Sequence, residues 1–136
     1  MIIKMKWDGD SRFTSESETG ASVTVDTGVA YGATGEYSTP MELLLVALAG
    51  CAGIDLVMIL EKMRVNLSKV AMEVEARRRD EEPRYFEEIK IIYRLSGEGL
   101  TEQKAERGAS LATEKYCSVG VMLREKAEIT YEVEIE

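Results

Sequence analysis

The stretch that most constrains this chain is residues 43–60, Leu-Leu-Leu-Val-Ala-Leu-Ala-Gly-Cys-Ala-Gly-Ile-Asp-Leu-Val-Met-Ile-Leu, in which Asp55 is the only charged residue. A helix start stands directly before it. Thr39 fits the N-cap, Pro40 the first helical position and Glu42 the third position of a capping box. The pattern predicts a helix from about Pro40 to about Arg64. A helix that is apolar around its whole circumference has to be buried all round, in protein or in lipid. Its length reaches the lower limit for a bilayer span, but Asp55 is costly in hydrocarbon, and the remaining chain is a set of amphipathic strands that need this helix as cover. The protein-buried reading follows. A two-layer domain leaves one stripe of each helix in water, and no polar stripe exists here. A second copy of the chain is the simplest cover, and Ala47, Gly50, Ala52 and Gly53 are small enough for another backbone to come close. A homodimer is expected.

The strands are read from period-two alternation. Ile3, Met5 and Trp7 alternate with Lys4 and Lys6, and Val23 and Val25 with Ser22, Thr24 and Asp26. These are expected to be half-buried strands, and Asp8-Gly9 marks a hairpin between the first two. Residues 27–38 read as a loop. After the helix, Val70, Met72 and Val74 form one amphipathic strand. Phe86, Ile89, Ile91, Tyr93 and Leu95 form a second, joined to the first through the polar Asp80-Glu81-Glu82-Pro83 loop. Thr101 caps a second helix with Ala105, Ala109, Ala112 and Tyr116 on one face. That helix ends near Cys117, and Ser118 is placed as the cap of a short third helix to about Glu125. A last strand turns Ile129, Tyr131, Val133 and Ile135 inward. With 136 residues, no internal repeat and no linker, a single domain over 1–136 is expected.

Net charge narrows the partners. A balance of −8 disfavours nucleic acid and anionic membranes, both of which need a positive patch. The run Arg77-Arg78-Arg79 adjoins Asp80-Glu81-Glu82 and reads as a solvated hairpin end rather than a phosphate site. The chain has no histidine, which excludes Ser-His-Asp and Cys-His catalysis and any His-ligated metal. Its two cysteines, 51 and 117, are too far apart in sequence for a zinc motif. No metal and no cofactor are expected. Met1–Trp7 carries no continuous apolar signal region, so the expected compartment is the cytoplasm, with thiols reduced.

Chemistry therefore rests on Cys51 and Cys117. Taken alone, Cys51 within Ala-Gly-Cys-Ala-Gly is more often an inert small hydrophobe, and Asp55 one turn on works against a thiolate there. Cys117 lies at a break between two helices, where the partial positive charge of a helix N-terminus favours a thiolate. On that ground it is expected to be acidic; packing at a helix end is the equal alternative.

Ser38-Thr39-Pro40-Met41-Glu42-Leu43-Leu44-Leu45 leading to Ala49-Gly50-Cys51, with Glu114-Lys115-Tyr116-Cys117-Ser118 downstream, resembles the OsmC/Ohr family. Gly53-Ile54-Asp55 and Glu81-Glu82-Pro83-Arg84 look most like its YhfA-like branch. The resemblance covers nearly the whole chain. It implies an α+β, OsmC-type fold, with antiparallel sheets packed on a long buried central helix and an intertwined homodimer with sites at the interface. It further implies a thiol peroxidase acting on organic hydroperoxides. Cys51 would be the peroxidatic thiol, Cys117 the resolving thiol, Arg12 the group that holds thiolate and peroxide, and a thiol or dithiol the reductant. One position departs: Met41 stands where the peroxidase members carry a glutamate after the helix-starting proline, and Glu42, one residue on, is already explained as a cap. The alternative function is a non-catalytic or differently specialised dimer that binds a small hydrophobic or thiol-reactive ligand at its interface.

Overall fold

A computed structural model describes residues 1–136. By its internal contacts the chain divides into two units, Met1–Leu44 and Leu45–Glu136.

The first unit is a three-stranded antiparallel sheet, β1 (Ile3–Trp7), β2 (Phe13–Ser17) and β3 (Ser22–Val25). The Asp8-Gly9 signal does make the first turn. Gly9 takes φ 96°, which glycine adopts without steric cost, and the Arg12 N–H donates to the Gly9 carbonyl at 3.0 Å. The register sets Met5 opposite Ser15, with Val23 beyond, and Trp7 opposite Phe13. One face thus gathers Ile3, Met5, Trp7, Phe13 and Val23, all of them exposed. The expectation of half-buried strands fails for β1, whose five residues are exposed on both faces. Residues 27–38 are a loop with one 3-10 turn at Val29–Tyr31. The chain then enters α1 (Pro40–Lys62) through the capping box read from the sequence: the Thr39 N–H donates to Glu42 Oε2 at 2.9 Å and the Glu42 N–H to Thr39 Oγ1 at 3.2 Å.

In the second unit α1 buries one stripe, Leu48, Ala52, Gly53, Leu56 and Leu60, at helical spacing. The other side, with Val46, Gly50, Ile54 and Met58, is equally apolar and exposed. Burial all round is therefore corrected to burial on one side within a single chain. By length and composition α1 would also pass as a bilayer span. The helix stops two residues before Arg64, in a C-terminal cap where the Arg64 N–H donates to the Glu61 carbonyl (2.9 Å) and the Val65 N–H to the Leu60 carbonyl (3.0 Å).

β4 (Asn66–Arg78) and β5 (Phe86–Glu98) form a long antiparallel ladder. Then come α2 (Glu102–Ser110), a π turn (Leu111–Tyr116), α3 (Ser118–Leu123) and β6 (Glu128–Ile135). β6 lies beside β5 but runs parallel to it, so the expected all-antiparallel arrangement is corrected to a mixed sheet of order β4-β5-β6. The helices between β5 and β6 carry the chain back to the starting end of the sheet, as a parallel connection requires. Ile89, Ile91, Tyr93 and Leu95 on β5 are buried, while Arg94 on the other face bridges Glu73 of β4 and Glu134 of β6, each at 2.8 Å. A side chain added at Gly53 would meet Met72 of β4, and one at Gly108 would meet Leu56 and Leu60. Glycines at these positions let α1 pack closely against the sheet and α2.

Candidate active site

The site is built around a change of helical pitch. Ala105, Ala109 and Ala112 are fully buried, as their spacing predicted. Tyr116, expected on the same face, is instead exposed, and Cys117 is fully buried in its place. The π turn explains the exchange. Its wider ring, closed by the Cys117 N–H donating to the Ala112 carbonyl at 3.2 Å, inserts one residue and swings the next inward. Cys117, not Ser118, caps α3: its sulfur accepts from the Gly120 N–H at 3.2 Å. The thiol is also oriented towards the Leu48 carbonyl of α1, at 4.0 Å.

That position does not make Cys117 acidic. Burial pushes its thiol up to about 11, and the neighbouring Cys51 and Asp55 push it the same way. The Gly120 N–H favours the thiolate but is outweighed. The sequence expectation of an acidic Cys117 is thus overturned by desolvation.

Cys51, half-buried on α1, lies near enough to raise the Cys117 thiol, and both cysteines are free thiols. Asp55, one turn along α1, carries a charge that acts the same way on both the Cys117 thiol and the Tyr93 phenol. Tyr93 of β5 is fully buried, its hydroxyl 2.7 Å from Thr113 Oγ1. Burial raises the phenol to about 12. Sequence reasoning placed Tyr93 on an inward face but missed its role; a tyrosine among buried isoleucines is itself a signal, since its hydroxyl needs a partner. Thr113 and Arg124 gave no such signal.

Arg12 belongs to the first unit. It lies in the β1–β2 turn, half-buried, and pairs with Asp10 at 3.7 Å. Met41 is half-buried at the start of α1, and Glu42 is held in the capping box. No group of metal-ligating side chains is assembled.

The OsmC-like protein family model matches residues 33–132. The chain belongs to the OsmC-like family. Protein YhfA of Escherichia coli K12 is 34% identical to this OsmC-like chain, over 99% of the chain and 98% of YhfA. Among solved structures, an OsmC-like protein from Mycoplasma pneumoniae superposes with a TM-score of 0.83 at 19% identity, covering 98% of this chain and 95% of that one. An organic hydroperoxide resistance protein OsmC from Legionella pneumophila gives 0.71 at 19% identity, over 98% and 95%. These two likenesses establish the α+β OsmC-type fold.

Proposed function

We propose that this OsmC-like protein is a cytoplasmic, cysteine-based reductase of organic hydroperoxides that works as a homodimer. The observation that carries the reading is the pair of free thiols, one half-buried on α1 and one fully buried at the cap of α3 with its sulfur turned towards the Leu48 carbonyl of α1, one turn before Cys51.

The chemistry divides between the two. Cys51, as thiolate, attacks the distal oxygen of the hydroperoxide. The O–O bond breaks, the alkoxide takes a proton and leaves as an alcohol, and Cys51 becomes a sulfenic acid. The Cys117 sulfur then attacks the Cys51 sulfur. The new S–S bond forms as the S–O bond breaks, and the Cys117 proton leaves with the hydroxide as water. Two reductant thiols, or one dithiol, restore both cysteines. With its pKa near 11, Cys117 is ionised to only about one part in ten thousand at neutral pH. It is a poor competitor for peroxide and waits for the sulfenic acid. Arg12 enters as the group that holds thiolate and peroxide on the family resemblance alone.

Cumene hydroperoxide supplied with a dithiol is the direct test. Peroxide loss should depend on protein and should fall to background in Cys51→Ser. In Cys117→Ser a first turnover should persist, with the sulfenic acid left open to trapping by dimedone. Consumption no faster than in Cys51→Ser would sink the reading. The second reading, a dimer that binds a hydrophobic or thiol-reactive ligand, draws on Met41 and on the engagement of Glu42 in its cap. It gains if peroxide is untouched while native mass spectrometry finds a bound small molecule.

A further inference from the structure

The π turn poses a problem that the peroxide chemistry does not address. Such turns are rare. Continuing α2 as an ordinary helix would suit the periodicity of Ala105, Ala109, Ala112 and Tyr116 better, and each residue of shift turns a helix face by about 100°. In that register Tyr116 would be inside and Cys117 rotated away from Cys51. Something must hold the wider turn.

Two ties do so, from opposite sides. From the core, the Tyr93 hydroxyl meets Thr113 Oγ1 at 2.7 Å. From the surface, the Arg124 guanidinium donates to two successive carbonyls of the turn, Nη2 to Thr113 and Nη1 to Glu114, both at 3.0 Å. Carbonyls at the end of a helix lack partners within it, so the guanidinium supplies what the altered pitch leaves open. Arg124 stands at the C-terminal end of α3, the helix that Cys117 caps. Residues 113–124 therefore form a closed loop, with the Cys117 sulfur fixed inside it by the Gly120 N–H.

We infer that Arg124, backed by the Tyr93–Thr113 hydrogen bond, is a positioning residue that holds the π register and so keeps Cys117 buried with its sulfur against the Leu48 carbonyl of α1, on the side of the helix that leads to Cys51. The inference builds on the proposal that the two thiols close a disulfide, and it adds the device that makes closure fast. A guanidinium suits the task because its planar fork reaches two acceptors at once; a lysine ammonium is a single point donor.

The test uses the full-length protein. In a Cys51→Ser background, alkylation of Cys117 by iodoacetamide should speed up on the order of tenfold in Arg124→Ala, because the thiol gains exposure. Arg124→Lys should fall between that and the parent. With both cysteines present, the intramolecular disulfide formed by diamide should close on the order of tenfold more slowly in Arg124→Ala, since small misplacements of reacting groups cost large factors in rate. Native circular dichroism accompanies each measurement, and Arg124→Lys, which keeps the charge, carries the test if Arg124→Ala does not fold. Parental rates for alkylation and closure in a natively folded Arg124 variant overturn the inference, as does failure of diamide to close the disulfide in the parent. Diamide needs no peroxide chemistry. If hydroperoxide fails to oxidise the parent but diamide closure still depends on Arg124, the proposed function falls and the positioning role stands.

Discussion

At the residue scale the decisive contest is between desolvation and a single N–H at Cys117. Burial is the largest influence, the Gly120 N–H opposes it, and Cys51 and Asp55 add to it. Asp55 is the one of these that can be neutralised without touching either sulfur. Asp55→Asn should lower the Cys117 pKa, and alkylation of Cys117 followed against pH in Cys51→Ser with and without the Asp55 change measures it; an unchanged or raised midpoint counts against the assignment. The same shift links to stability. A thiol whose folded pKa lies above its ordinary value, 9.0 rising to about 11, contributes stability that is fully present below about pH 9 and is lost as pH climbs towards 11. Reduced protein should therefore lose melting temperature between pH 9 and 11. Cys117→Ala should lose less over that window, with the remainder including Tyr93, whose phenol titrates near 12. The pair of cysteines and their partner Asp55 were legible in the sequence. The sign of the Cys117 shift was not, because helix-end position is a local property, whereas burial depends on distant chain such as α1, whose Leu48 carbonyl lies 4.0 Å from the Cys117 sulfur.

Elements whose signals are local follow directly from the residues. The Thr39–Glu42 capping box, the Thr101 cap of α2, which accepts from the Lys104 N–H at 3.2 Å, and the Asp8-Gly9 turn all formed as their residues dictate. Two features with non-local causes were not legible. The direction of β6 is invisible to alternation, which has period two whichever way a strand runs. The π turn replaces a regular alanine-and-tyrosine face that sequence periodicity favours, and the ties that hold it come from Tyr93 and Arg124, outside the turn. The end of α1 offers a test at this scale. Arg64 occupies the left-handed position of the helix cap, φ 61°, where a side chain costs roughly 1 kcal/mol and glycine is preferred. Its N–H and that of Val65 make the cap bonds through the backbone, so Arg64→Gly keeps them. It should raise stability by about 0.5–1 kcal/mol in urea unfolding, with the slope unchanged; a destabilised variant would show that the Arg64 side chain matters more than its backbone.

At the scale of the whole molecule, the unusual property is how much apolar surface one chain leaves in water. Val46, Ile54 and Met58 line the outer stripe of α1 at 61%, 65% and 51% exposure, and Ile3, Met5 and Trp7 exceed 50% on the N-terminal sheet. Within each of these units, exposed apolar side chains clustered on one face mark an interaction site. Gly50 within the stripe opens room for close backbone approach. Charge does not supply the attraction for the proposed dimer, since each copy carries −8 and like-charged copies repel; the proposal therefore requires association driven by burial of apolar surface, which should persist in high salt, where repulsion is screened. Ile54 is the probe, because it is the most exposed large apolar residue on α1 and none of the thiol-site contacts involves it. Sedimentation of the parent at micromolar concentrations should give twice the chain mass. Ile54→Glu should weaken association by at least about a hundredfold, because a carboxylate buried without a partner costs several kcal/mol, whereas Ile54→Leu should leave it intact. A parent chain that sediments as a monomer at tens of micromolar would remove the dimer from the proposal. A monomeric Ile54→Glu that still forms its Cys51–Cys117 disulfide with diamide would show that the thiol pair is complete within one chain and that pairing of copies serves some other part of the cycle.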